Sequence, residues 1–207
     1  EMTSLDYGDP ARIQTKGGSI FADKLILALN AWMLDHFKEF KRSIVVVSSD
    51  MVVTKPIPEK LQQFGPEKGA AVVDSRIFVH YYRDTQDGRL MLGKGGNKFS
   101  FANQVESMFN QKTNYLPILN QSFQKLFPKL EQSEFDYNWS GGSDRSVTGL
   151  PFFGNLTDQN NIYYGLGYSG NGVAQTRMGG KILSYMVLGT ETDWTGCGRT
   201  KGPAGTL

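Results

Sequence analysis

Glycines 165, 167, 170 and 172 lie in the stretch NIYYGLGYSGNGVAQTRMGGKILSYMVLG, between a strand-like NIYY and a helix-like run. Residues 165–170 spell G-x-G-x-x-G. In a Rossmann unit such glycines bring backbone N–H groups against a dinucleotide pyrophosphate, and an acid about 20 residues on takes the ribose hydroxyl. Glu191 and Asp193 stand where that acid should be. The strand that must carry it is missing: LGTETDWTGCGRT has neither a β-branched run nor the length of a buried parallel strand. The Rossmann reading therefore fails on context. What survives is a glycine-rich turn delivering a helix N-terminus, where N–H groups meet a ligand with no Cβ in the way and the helix end favours negative charge. A plain strand-to-helix connection needing positive φ is the competing reading.

The elements that must position this turn follow from periodicity. ARIQT (11–15) and SIFADKLILAL (19–29) flank KGG as a β-hairpin whose second strand is expected to be well buried. Asn30 is expected to cap a short helix over 31–40, where Trp32, Met33, Phe37 and Phe40 recur at helical spacing. SIVVVSSDMVVTKPI (43–57) is a strand pair or one bent strand, stopped by Pro56 and Pro58. Residues 70–96 form a three-stranded antiparallel meander, with turns at DSR and DTQDG. Residues 102–127 carry two helical stretches broken near Pro117, and FDYNWSG (135–141) and NIYYG (161–165) are strands. A long helix starts near Asn171, with Met178, Ile182 and Met186 as its core side. The class is α+β with one largely antiparallel sheet.

Bulk properties exclude several functions. Twenty-two basic against 20 acidic residues, with no block of like charge, do not suggest nucleic acid or an anionic membrane as partner. No apolar run approaches the roughly 18 residues of a membrane span. The single Cys197 forms no internal disulfide, which points to a reducing, cytoplasmic setting. It and two distant histidines, His36 and His80, make a poor metal set, so no metal is expected. The opening EMTSLDYGDP reads like the middle of a protein, so a fragment is expected.

The glycine turn has company. YNWSGGSDRSVTGLPFFG followed by NIYYGLGYSGNGVAQTRMGGKILSYMVLG resembles the C-terminal part of the FAD-dependent amine and amino-acid oxidases, the family of D-amino-acid, glycine and sarcosine oxidases. The family pattern of Trp-x-Gly, a Pro-x-x-Gly turn, a strand and small-Gly-polar-Gly falls on Trp139, Gly141, Pro151, Gly154 and Ser169–Gly172. ADKLILALNAW and FVHYYRDTQDGRLMLGKGG resemble earlier family elements, so the likeness runs in order from Gly8 to Trp194.

The resemblance implies a substrate domain of antiparallel sheet and helices, plus the strand and helix that complete an FAD-binding domain. The N-terminal Rossmann βαβ unit is lacking, so the segment gripping the ADP half of FAD would be a missing partner. Residues 1–42 would be a remnant of the FAD-binding domain, 43–140 the substrate-binding domain, 141–190 the flavin-proximal strand and helix, and 191–207 a disordered tail. The chemistry implied is oxidation of a small primary or secondary amine by hydride transfer to non-covalent FAD, which leaves negative charge at flavin N1 and O2. Gly167, Tyr168, Ser169, Gly170, Asn171, Gly172 and Val173 would face that edge, acting as an oxyanion hole does. Asn30, Ala31 and Trp32 would lie near the cofactor.

Family members acting on simple α-amino acids often carry an arginine two residues after the glycine of Trp-x-Gly, clamping the carboxylate. Ser143 stands there instead, with Arg145 two residues further and Arg83 in YYR. This departure is closer to the γ-glutamylputrescine oxidase-like branch, and DRSVTGLPFFG with YYRDTQDGR also resembles the proposed aminophosphonate oxidoreductases. Arg83 or Arg145 would then meet an anionic substrate group, and Tyr81 and Trp139 would line the site. The competing readings are structural: Arg83 as a solvated charge opposite Asp87, Trp139 as sheet packing, His80 as a satisfied histidine, and Lys94 and Lys98 as hairpin-loop residues. Cys197 is a poor point for covalent flavin attachment. A binding module that kept the fold without catalysis is the alternative function, and the chain alone is expected to be inactive.

Overall fold

The computed structural model describes residues 1–101, 104–156, 158–196, 200 and 202. The elements run β1 (Met2–Asp6), β2 (Ala11–Thr15), β3 (Gly18–Ala22), β4 (Leu25–Leu27), α1 (Met33–His36), β5 (Ile44–Thr54) and α2 (Pro58–Phe64). They continue with β6 (Ala71–Val73), β7 (His80–Asp84), β8 (Leu90–Phe99), α3 (Leu116–Leu126), β9 (Phe135–Ser146), β10 (Phe152–Asn155), β11 (Ile162–Leu166) and α4 (Gly172–Leu188). The chain divides into two units: Glu1–Val46 with Phe101–Val105 and Ser143–Leu207, and Val47–Ser100 with Glu106–Gly142.

In the first unit, β1, β2 and β3 form an antiparallel sheet. A second sheet has the order β10-β11-β4, with β10 antiparallel and β4 parallel to β11. The apolar run IYYGL makes β11 the most buried strand, since every residue in it is buried. Ile182 and Leu183 of α4 pack on Phe153 and Tyr163, with Met178 and Met186 at the margin. The ring of Phe40 meets that of Tyr164 edge-on, 4.7 Å between centroids.

Three expectations change here. Residues 19–29 are not one buried strand: the polar Asp23-Lys24 pair sits at a bend, β3 is mostly exposed, and β4 leaves for the other sheet. The helix expected over 31–40 is a succession of short turns around α1, interrupted at Phe37, whose backbone is extended. Asn30 caps no helix. It has φ of 51°, and its side chain is used elsewhere. Strands β1 and β10 lay outside the periodicity argument, because neither alternates long enough to stand out.

In the second unit the meander over 70–96 is present: β6, β7 and β8 pair antiparallel in turn, and β8 pairs antiparallel with β5. The run 43–57 yields a single strand, β5, of 11 residues. Pro117 does not break a helix but opens α3, since its missing N–H costs nothing in a first turn. Leu119 and Phe123 of α3 are fully buried against Val52, Leu90 and Leu92 of the sheet, together with Phe127 and Leu130. The spacing of 119 and 123 keeps both on one helix face, and Phe127, just past the end of α3, packs its ring 5.5 Å from that of Phe123. Phe123→Ala is expected to destabilise the protein by about 3–5 kcal/mol. The readout is a lower urea midpoint at unchanged slope, and a loss under about 1 kcal/mol would contradict this packing.

Candidate functional site

The connection from β11 to α4 is held from behind by one strand. Asp144 of β9, 3% exposed, accepts the Gly167 N–H through Oδ2 at 2.5 Å, and the Tyr168 N–H acts on the same carboxyl to lower it. Its main-chain carbonyl accepts the Ser169 N–H at 3.0 Å, and its own N–H donates to Asn30 Oδ1 at 3.2 Å. Two residues on, the Ser146 N–H donates to Ser169 Oγ at 3.1 Å, and that hydroxyl donates to the Gly167 carbonyl at 3.0 Å. Gly167 has φ of 83°, and a Cβ there would meet Ser146 and the Phe152 ring at 3.0 Å. Asn30 and Ser169, at φ of 51° and 56°, are non-glycine residues in a region that costs of order 1–3 kcal/mol each. Both are bonded to the Asp144–Ser146 stretch. Burial pushes the Asp144 carboxyl up to about 6, against the lowering effect of the N–H groups it accepts.

Beyond Ser169 the turn faces outward. Gly170, with φ of 90°, has open space where a Cβ would stand. The α4 N-terminus carries no side-chain cap, so the N–H groups of Gly172, Val173 and Ala174 have no acceptor within the helix. Val173 is 101% exposed. Glycines at 170 and 172 and a row of aligned donors fit an electron-rich ring edge such as that of a flavin. The seven expected turn residues thus divide by role: Gly167, Tyr168 and Ser169 turn toward Asp144, the Asn171 N–H is taken by the Tyr168 carbonyl at 2.9 Å, and Gly170, Gly172 and Val173 present theirs. Ala31 is fully buried and Trp32 is about one-third exposed, so only Trp32 offers its side chain outward.

In the second unit Tyr82 and Tyr81 take opposite faces of β7. Tyr82 stacks edge-on to Phe127 at 5.0 Å, in the core. Tyr81 lies across Gly93, where a Cβ would come within 2.2 Å of the ring, and its hydroxyl bonds Ser49 Oγ at 2.6 Å. Burial raises the phenol, opposed by that Ser49 bond. Arg83 shares the Tyr81 face, is exposed, and donates Nε to the Asp84 carbonyl at 3.1 Å. It does not oppose Asp87, which pairs with Arg89 at 2.6 Å. Trp139 is 40% exposed on β9. Ser143 and Arg145, half-buried, occupy the strand positions that alternate with Asp144 and Ser146.

His80 Nδ1 lies 3.0 Å from Asp74 Oδ2, and Nε2 lies 3.0 Å from Ser122 Oγ. These are the distances of a nucleophile triad. Ser122 stands inside α3, however, where helix bonds consume the backbone N–H groups that would stabilise an oxyanion. The set acts as a strap from β7 to α3, with His80 as a structural histidine. Sequence reasoning missed Asp144, Ser146 and Ser49. A signal for Asp144 was present: in SGGSDRS the small residues Ser140, Gly142 and Ser146 share its parity, the pattern of a buried strand face. Cys197 lies outside the described residues, as does most of the tail.

Gly93→Ala is expected to lower stability by about 1–3 kcal/mol, because its methyl enters the Tyr81 ring. Combined with Tyr81→Ala, the two losses should fall well short of additive in thermal unfolding. Additive losses would mean that ring and strand do not touch.

Among the described residues no strand follows Leu188, no helix is long and apolar enough to cross a membrane, and no three His, Cys, Asp or Glu side chains are grouped to hold a metal. Residues 1–186 match the family model described as FAD dependent oxidoreductase (DAO). The γ-glutamylputrescine oxidoreductase of Escherichia coli K12 is 29% identical over 191 residues, 91% of this chain and 42% of that protein. The probable oxidoreductase OrdL of Haemophilus influenzae is 27% identical over 185 residues, 86% of this chain and 39% of that protein. This chain thus spans about two-fifths of the length of these relatives. The crystal structure of glycine oxidase from Geobacillus kaustophilus superposes with a TM-score of 0.68 at 20% identity, over 93% of this chain and 49% of that one, which shows a shared fold. With its family model running from the first strand into the last helix, this chain belongs to the FAD dependent oxidoreductases of the DAO family.

Proposed function

We propose that these residues are the substrate-domain and flavin-proximal portion of an oxidoreductase that oxidises a primary or secondary amine. The observation that carries this reading is the uncapped N-terminus of α4, fronted by Gly170 and held from behind by Asp144, in a chain of this family. When bound, the flavin supplies the two-electron acceptor. The protein's part is electrostatic: the N–H groups of Gly170, Gly172 and Val173 and the positive end of α4 oppose negative charge arising at the ring edge. Asn30 and Trp32 lie near the ring, with Ala31 as buried support. Residues 1–42 and 141–190 belong to the flavin side, and 43–140 to the substrate side.

The ADP half of FAD is held by residues outside these 207. Two findings support this: the relatives are more than twice as long, and G-x-G-x-x-G at 165–170 leads into an amine-oxidase-like turn rather than a βαβ unit. The substrate is an amine whose carboxylate, if present, is not clamped at position 143, where Ser replaces the usual Arg. Tyr81, fixed by Ser49, and Trp139 are the candidate aromatic substrate contacts, and Arg83 and Arg145 are the candidate cations for an anionic tail, polyamine-like, amino-acid-like or phosphonate. A cytoplasmic setting accords with the lone cysteine.

Val173→Glu separates this reading from a plain connection. A carboxylate in the first turn of α4 should raise helix stability by about 0.3–1 kcal/mol. The same charge at the flavin edge should weaken FAD binding at least about tenfold, a 1.4 kcal/mol effect, read by visible absorbance during titration with FAD. Unchanged flavin affinity would remove α4 from the site.

A further inference from the structure

We infer that Asp144 is the positioning residue of the 167–172 turn: as a carboxylate it holds the backbone of Gly167 and Tyr168 in place, and taking up a proton releases them. The inference deepens the reading of the turn as a flavin edge and rests on it for its catalytic meaning, but the contact itself stands on geometry alone. One buried residue makes three hydrogen bonds to two segments: to Asn30 through its N–H, to Ser169 through its carbonyl, and to Gly167 through its carboxylate, on which the Tyr168 N–H also acts. Gly167 and Ser169 sit at positive φ, and both are bonded to β9, through Asp144 and Ser146, while nothing lies within 4 Å of a Cβ at Gly170. A carboxylate is acceptor-only and can receive several N–H groups. A carboxylic acid or a carboxamide presents a donor to one of them instead, so Asp144→Asn imitates the protonated state.

The groups facing Asp144 are few. Asn30 approaches from the segment after β4 as a neutral amide, and the hydroxyls of Ser146 and Ser169 are neutral. The Tyr168 phenol is raised by burial and by the Asp144 charge, so it stays protonated through the range concerned. Arg145, next on the strand, alternates to the other side. The Asp144 carboxyl therefore changes charge near pH 6, with burial as the dominant cause.

The sign of the pH effect separates positioning from mere support. Because the folded carboxyl is raised above its unfolded value, its contribution to stability is complete at low pH and is lost as pH rises through about 6. Through Asp144, lowering the pH from 7 to 5 thus favours the folded state while weakening the carboxylate's hold on the Gly167 and Tyr168 N–H groups. A residue that only filled space would not move local order and global stability in opposite directions.

The test is amide hydrogen exchange on the flavin-free full chain, corrected for intrinsic rates, alongside FAD titration followed by visible absorbance. Protection at Gly167 and Tyr168 should fall about tenfold between pH 7 and 5, as expected for bonds to a charged acceptor, while the amides of β11 and the interior of α4 hold. Asp144→Asn should show the low protection already at pH 7, no step on acidification, and FAD affinity weakened about tenfold. Full protection at 167 and 168 in Asp144→Asn, or no step in the wild type, overturns the inference. If the variant does not fold, the wild-type pH series decides alone. If wild-type protein shows the exchange step but Val173→Glu leaves flavin affinity unchanged, the flavin-edge reading fails and Asp144 stands as the organiser of a turn with another role.

Discussion

A carboxylate taken out of water must be met by hydrogen-bond donors, and in this protein the donors are the backbone of a single turn. Asp144 supplies the acceptor, and Gly167 and Tyr168 supply the N–H groups. The strand-to-helix connection of the first unit follows from that pairing. It accords with the left-handed backbone of Ser169, whose N–H the Asp144 carbonyl accepts, and with Asn30 spending its side chain on a strand rather than on a helix cap. It also sorts the turn into an inward half that is fastened and an outward half with donors to spare. Burial of the charge opposes folding, and the bonds offset only part of that cost, which is why the carboxyl is raised rather than lowered.

The second unit solves a different problem, that of seating a large ring flat on a sheet. Gly93 removes the one Cβ that would lift Tyr81, and Ser49 fixes the hydroxyl. On the opposite face of the same sheet, α3 and the following segment close an apolar core around Phe123. The His80 bonds to Asp74 and Ser122 tie that helix to β7, and they resemble a catalytic triad in distance only. Chemistry depends on what surrounds a nucleophile, and an interior helix position leaves no donors for an oxyanion.

Membership of the FAD dependent oxidoreductases bounds the chemistry without naming the substrate. The name of one relative points to γ-glutamylputrescine and that of a structural neighbour to glycine, and this chain covers about two-fifths of the relatives it matches. Under the proposed reading Ser143 narrows the field by physical argument, since a hydroxyl cannot clamp a carboxylate bidentately as a guanidinium does.

Much was legible in the residues themselves. The β-branched run of β5, the meander over 70–96 and the core side of α4 follow from periods of two and 3.6, which local sterics impose wherever a chain must bury one face. The order of Trp139, Gly141, Pro151, Gly154 and Ser169–Gly172 pointed to the family, because a glycine needed for close approach cannot drift in position. Partners in space were not legible. Asn30 read as a cap because its spacing allows one, and only the arrival of a strand 114 residues away claimed its side chain. The split of β3 from β4 depended on which sheet each edge could join. Asp144 looked like a surface acid between Ser143 and Arg145 until the fold placed two backbone N–H groups against it. Sequence determined which faces must be buried and which backbone positions must be free of side chains. Tertiary structure alone decided which buried polar atoms meet, because a hydrogen bond between distant segments leaves no periodic trace in either one.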